Sequence, residues 1–252
     1  TLSLTNSTIS GNRGDGGGIY NSGGTVTLAN SIVSGNFRAY YSDIAGTTTY
    51  TDKGGNIVGY LGDNTSPTEV NDPRLLNLDA LGFYGGPTPT MVPLPGSSVI
   101  CVATYANSPS TWSTNQIDID QRGFPNYNLH YGQLGNTGGP LPSVCYDAGA
   151  VQTNYTAVQF APTSYSAVAG SPTTSPVVVS VIENGQSLGG VPITLSYSGA
   201  GNLSGNTGTT AQGAGLTLNS LSVDTGGSGN LSTKIVIAGN SYISGSARSE
   251  ER

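Results

Sequence analysis

The chain has 252 residues, a net charge of −6 and only 9% charged residues, against about 25% in ordinary globular proteins. Its 8 Lys and Arg stand singly, so it offers no basic patch to nucleic acid or to an anionic membrane surface, and no apolar run is long enough to span a bilayer. The low charge and the abundant Val, Ile, Leu and Tyr argue against disorder, while 38 Gly with many Thr, Ser and Asn suit short strands and tight turns. We therefore read an all-β protein, long enough for one large or two medium domains.

The chain opens on TLSLT without a signal peptide, from which we expect a mature or trimmed product. Residues 5–12, TNSTISGN, return 24 residues later as ANSIVSGN, residues 29–36. With Thr1 laid on Thr25, Leu2 meets Val26, Leu4 meets Leu28 and Ile9 meets Val33. A weaker third copy follows from Thr49, in which Val26 maps to Tyr50 and, after one inserted residue, Val33 maps to Val58. A fixed period of this length marks a repeat architecture. The alternating runs TLSLT and TVTLA are strands with one apolar face, and the Gly- and Asn-rich breaks suit sharp corners. Three short strands with corners fill about 24 residues, the size of one rung of a right-handed parallel β-helix. A leucine-rich repeat needs denser Leu and a helical segment, and this chain has neither. Stacked rungs place Asn6 over Asn30 and Asn12 over Asn36 as side-chain ladders. NST at Asn6 is also an N-glycosylation sequon, as are the triplets at Asn64, Asn154, Asn202 and Asn230. Asn30 repeats Asn6 without the sequon, so the repeat itself does not require a glycan.

Beyond Gly59 the repeat fades and prolines shorten the strands. The series GGNIVG, DPRLL, YGGPTPTMVPLPGSSVI, DIDQRG and CYDAGAVQ, in that order, resembles the choice-of-anchor Q proteins. The rung sequences STISGN and GGGIYN are similar to those of polymorphic outer-membrane proteins and other β-helix adhesins. The resemblance covers residues 1–152 and implies a bacterial surface or secreted protein with a parallel β-helix and no catalytic assignment to carry over. Where the family has PAIDAG after LPGS, this chain has SVICVA, with Cys101 at the acidic position.

Cys101 and Cys145 fit one disulfide or two buried thiols; the low charge and the Thr- and Asn-rich surface favour a disulfide and an extracellular location. In DIDQRG, alternation along a strand puts Asp118, Asp120 and Arg122 on one face as a structural ion pair. The alternative is glycan chemistry, since glycosidases need two carboxylates at set distances. The remaining inventory is thin. His130 is the only histidine, without a nucleophile elbow, and a zinc site lacks the usual ligand spacing, so no metal and no cofactor is expected. Trp112 with Tyr105 suits buried packing better than a sugar platform.

After residue 152 the texture changes. Runs such as SPVVVSVIE, VPITLSYSG and STKIVIAG, separated by NGQSLGG and DTGGSGN, give about seven strands in roughly 95 residues. SVIENGQSLGGVPITLS and SVDTGGSGNLSTKIVIAG resemble bacterial Ig-like repeats of the intimin and invasin type, which implies a stalk-like β-sandwich over 153–252. Together these readings lead us to expect a non-catalytic, structural or adhesive protein of the cell surface. A polysaccharide lyase or hydrolase and a carbohydrate-binding β-helix are the alternatives. The first rung begins at Thr1 already in register, which raises the expectation of self-association into a head-to-tail filament through rung stacking or strand addition. Glycans or a host or neighbouring surface are the other partners this reading admits.

Overall fold

The computed structural model describes residues 1–14, 17–37, 43–46, 50–59, 76–103, 119–126, 145–238 and 241–249. Every regular element among them is a strand, and the sheets do not close into a barrel. The chain divides into two compact units, Thr1–Thr153 and Asn154–Arg252.

In the first unit the strands follow the sequence repeat. They are β1 (Leu2–Thr5), β2 (Thr8–Ile9), β3 (Ile19–Asn21), β4 (Val26–Ala29), β5 (Ile32–Val33), β6 (Ile44–Gly46), β7 (Thr51–Asp52) and β8 (Ile57–Val58). All pairing among these strands is parallel, in three sheets ordered β1-β4-β7, β2-β5-β8 and β3-β6. Leu2 pairs with Val26 and Ile9 with Val33; Thr27 then pairs with Thr51, and Val33 with Val58. The one-residue insertion inferred in the third copy therefore lies between β7 and β8, where Gly54 and Gly55 both take positive φ.

Alternation decides which residues meet. Val26, Leu28, Val33, Ile19 and Ile44 form one buried cluster, with Leu4, Ile9, Tyr50 and Val58 packed against it. The neighbouring position in β5 points the other way: Ile32 joins Leu76, Val99 and Ala148 in a second cluster, flanked by Ile57 and Leu78. The β2-β5-β8 sheet is thus covered on both faces, and β5 is a purely apolar pair, as a sheet buried on both sides requires.

The corners use the residues the repeat supplies. Asn6 and Asn30 sit in the left-handed region at φ 47° and 48°, a conformation Asn tolerates better than most residues. Beside this corner the rungs are also linked from backbone to side chain. Ser7 N–H donates to Ser31 Oγ at 3.2 Å, and Ser31 N–H donates to Asn56 Oδ1 at 2.8 Å. Asn12 and Asn36 do stack through their side chains: Asn12 Nδ2 donates to Asn36 Oδ1 at 2.9 Å. Asn36 N–H and Nδ2 then both donate to Asp43 Oδ1 at 2.8 Å, which satisfies polar groups that have no access to water.

The second unit contains β9 (Tyr155–Ala161), β10 (Ser164–Tyr165), β11 (Val177–Glu183), β12 (Gln186–Leu188), β13 (Pro192–Thr194) and β14 (Ser196–Tyr197). It continues with β15 (Leu203–Ser204), β16 (Thr207–Thr209), β17 (Leu216–Leu218), β18 (Ser222–Val223), β19 (Asn230–Ala238) and β20 (Ser241–Ser249). β9, β11, β12 and β17 share one sheet, and β10-β20-β19-β14 form another, with the pairs β13-β16 and β15-β18 beside them. Inward residues alternate along the long strands, with Val177, Val179 and Val181 in β11 and Leu231, Ile235 and Ile237 in β19 fully or nearly buried. The NG of NGQSLGG makes a two-residue hairpin between β11 and β12, with φ 45° at Asn184 and 78° at Gly185, the turn type that matches strand twist. Among the described residues this unit has twelve strands against the expected seven, in part because single runs split. VPITLSYSG divides at Leu195, so that β13 pairs with β16 and β14 pairs with β19.

Candidate functional site

The motifs that follow the repeat converge on one buried polar network in the first unit. Asp120 opens a tight turn in which Gly123 N–H returns to the Asp120 carbonyl at 3.0 Å and Asp120 N–H reaches the Phe124 carbonyl at 2.7 Å. This corrects the expectation of a strand: the Asp120 side chain accepts from Arg122 N–H at 2.8 Å, closing the local ring that Asp favours in turns, and Gly123 takes φ 91°. Asp120 and Arg122 still meet, through the turn and not through alternation. Arg122 Nε lies 3.0 Å from Asp120 Oδ2, and both side chains are fully buried. Asp118 lies outside the described residues, as do Asn64, Tyr105, Trp112 and His130.

Asp120 is saturated. Oδ1 accepts from Arg122 N–H and Phe124 N–H, and Oδ2 accepts from Arg122 Nε and Gln152 N–H. Four donors match the acceptor capacity of one carboxylate. Arg122 is equally committed. Its Nη2 donates to the Gln152 carbonyl at 2.8 Å, and its guanidinium stacks 4.9 Å from the centre of the Phe124 ring. The second Gly of YGGPTPT is explained by the same packing, because a Cβ on Gly86 would lie 2.7 Å from Arg122 Cα, whereas the first, Gly85, takes φ 95°. Gln121 Nε2 donates to Thr88 Oγ1 at 2.9 Å, tying GGPTPT to DQRG a second time.

The segment CYDAGAVQ completes the network and adds a residue the sequence did not single out, Asp147. Its Oδ1 accepts from Cys101 N–H at 2.9 Å; its Oδ2 accepts from Thr153 N–H at 2.7 Å and from the Thr153 hydroxyl at 2.6 Å. Gln152 joins the two acids, accepting from Asp147 N–H through Oε1 while its own N–H serves Asp120. The only hint in the sequence is an acidic residue inside an otherwise apolar, Gly-containing run. Beside it, Cys101 and Cys145 form a disulfide with their Cα atoms 4.8 Å apart. Cys101 is exposed, at φ 61°, and Cys145 is buried.

This segment also reaches back to the repeat. Ala150 N–H donates to Thr8 Oγ1 at 3.0 Å, and Gly149 N–H donates to the Asn30 carbonyl at 2.8 Å. Gly149 has φ 97°, and a Cβ there would come within 2.5 Å of Thr8 Oγ1 and 2.8 Å of Ile32 Cδ1. Gly149→Ala is therefore expected to destabilise the chain by about 2 kcal/mol through backbone strain and overpacking. A denaturant titration giving a change under about 0.5 kcal/mol, the range of neutral surface substitutions, would show that this contact is not formed.

Burial pushes the Asp147 carboxyl up to about 6, against the pull of its hydrogen bonds from Thr153 and Cys101. The folded chain then holds this proton more tightly than the unfolded chain between about pH 4 and pH 6. Stability contributed by this group falls as pH rises through that window, by about 3 kcal/mol in all. Asp147→Asn removes the titration, so urea midpoints measured across the window should slope downward for the parent chain and less steeply for the variant. Parallel slopes would refute the assignment.

Asn154 is half-buried, with Nδ2 3.3 Å from Asn184 Oδ1; Asn202 and Asn230 are exposed, and Asn202 Nδ2 donates to Asp224 Oδ2 at 2.8 Å. No protein-family model, curated protein or solved structure matches this chain.

Proposed function

We propose that this chain is a non-catalytic extracellular protein, structural or adhesive, built as a right-handed parallel β-helix followed by an Ig-like β-sandwich. The observation that carries this reading is the register. Parallel pairing runs at 24 residues through β1, β4 and β7, and at 24 and then 25 residues through β2, β5 and β8, with Asn12 stacked on Asn36 and Ser7 N–H donating to Ser31 Oγ at equivalent positions. Stacked units of this kind present extended surface. The charged residues of the candidate site support the same reading. Asp120, Arg122 and Asp147 are spent on backbone donors and acceptors inside the fold, which suits anchoring better than substrate contact. The disulfide accords with an oxidising compartment. The resemblance to choice-of-anchor Q and intimin-type proteins belongs to this reading as well.

The test is to incubate the full chain with a panel of acidic and neutral polysaccharides and to follow both retention and product release. We expect no new reducing ends and no unsaturated products, with or without retention on a glycan. Depolymerisation that disappears in Asp118→Asn would overturn the reading in favour of a hydrolase or lyase.

A further inference from the structure

One ligand atom from each of Cys101, Cys145 and Asp147 lies within 4.8 Å of the other two. In the disulfide form no thiolate is offered. We propose that, once the disulfide is reduced, these three side chains form a binding site for a borderline-soft divalent cation of the zinc class. The sequence gives no hint of it, because 44 residues separate the cysteines and no short ligand spacing is present; the fold brings the ligands together.

Three features of the geometry support the site. Cys145 Sγ stands 3.7 Å from Asp147 Oδ1. A sulfur at ~2.3 Å and an oxygen at ~2.0–2.2 Å on one tetrahedral zinc lie about 3.5 Å apart, so these two ligands already stand near their bound separation. Asp147 is oriented from behind, since Thr153 N–H and the Thr153 hydroxyl hold Oδ2, while Oδ1, which accepts from Cys101 N–H at 2.9 Å and keeps a second lone pair, is turned towards Cys145 Sγ. Outer hydrogen bonds of this kind fix the direction in which a carboxylate ligand points. Finally, Cys101 is exposed while Cys145 is buried, so a reductant and then the cation can approach from the Cys101 side, and a water can complete the coordination.

The chemistry balances with a thiol or phosphine reductant. A dithiol gives up two electrons and two protons and leaves as its own disulfide, whereas a phosphine gives up two electrons, takes the oxygen of one water to leave as the phosphine oxide and releases that water's two protons; in either case the Cys101–Cys145 bond breaks and each sulfur takes one proton. The cation then displaces one proton from each thiol and binds two thiolates and one carboxylate oxygen. The closing segment would exchange a covalent link for a metal clip.

The experiment uses the full chain, reduced with a phosphine under nitrogen, freed of reductant and titrated with cobalt(II) as a spectroscopic stand-in for zinc. We expect one equivalent to bind with a thiolate-to-cobalt charge-transfer band, and no band from the oxidised chain. Cys145→Ser should abolish the band, and Asp147→Asn should weaken binding about tenfold or more. Because Asp147→Asn also disturbs the fold, zinc X-ray absorption on the reduced parent chain supplies a readout free of variants: two sulfur and at least one oxygen neighbour. A reduced chain with no band, a metal shell without two sulfurs, or a reduced chain that unfolds and is not restored by zinc each overturns the proposal.

Discussion

Asp120→Ala is expected to destabilise the chain by about 3–5 kcal/mol, the largest effect of any single side chain in the candidate site. The truncation leaves the Arg122 guanidinium buried without its counter-charge, and it strips acceptors from three backbone N–H groups, those of Arg122, Phe124 and Gln152. Arg122→Met should cost less. Asp120 then keeps its three N–H donors, and Met fills much of the volume against Phe124 and Gly86. The asymmetry separates two roles. If the pair acted mainly by charge, both substitutions would cost the same and the double variant would recover most of the loss. Because the carboxylate also closes the turn, the double variant should stay close to Asp120→Ala. Guanidinium titrations of the three variants measure this directly. A loss under about 1 kcal/mol for Asp120→Ala, within the range of an exposed pair, would show that Asp120 is not an anchor and would return it to the list of groups available for glycan chemistry.

The same residues show what a sequence can disclose. Stacking makes residues 24 or 25 apart neighbours, so the repeat carries the register almost without interpretation; Ile32 over Ile57 and Val33 over Val58 follow from alignment alone. Corner chemistry is local as well, and Asn6 and Asn30 appear where left-handed backbone is needed. The Asp120–Arg122 pairing was legible but its cause was not. A period of two predicts a strand across DIDQRG, whereas the Gly at 123 and the short-range reach of Asp make it a turn. Asp147 was illegible because Thr153, six residues on, satisfies only Oδ2, and the rest of what buries the acid is distant in sequence. Its partner Cys101 lies 46 residues away, and the contact that docks its segment, Ala150 to Thr8, spans 142 residues. Such contacts leave no periodic trace.

Removing the disulfide by Cys101→Ala with Cys145→Ala is expected to lower stability by about 4 kcal/mol, from the entropy that the freed loop regains in the unfolded chain. The native structure has its own means of holding the two segments together. Ala103 N–H donates to the Tyr146 carbonyl at 3.0 Å, Ala148 N–H to the Val99 carbonyl at 2.9 Å, and Cys101 N–H to Asp147 Oδ1 at 2.9 Å. Val99 and Ala148 also share the second apolar cluster with Ile32 and Leu76. The folded segment should therefore keep its place, and the loss should fall on the unfolded side of the equilibrium. Two observables follow. The denaturant midpoint falls, and the m-value rises, because an uncrosslinked unfolded chain exposes more surface. Adding Asp147→Asn to the double alanine variant should then cost more than it costs in the parent chain, since the hydrogen bond to residue 101 becomes one of three polar ties that hold the segments without a covalent link. A lower midpoint with an unchanged m-value would place the effect in the folded state, as a cavity beside the buried Cys145, and would contradict this account.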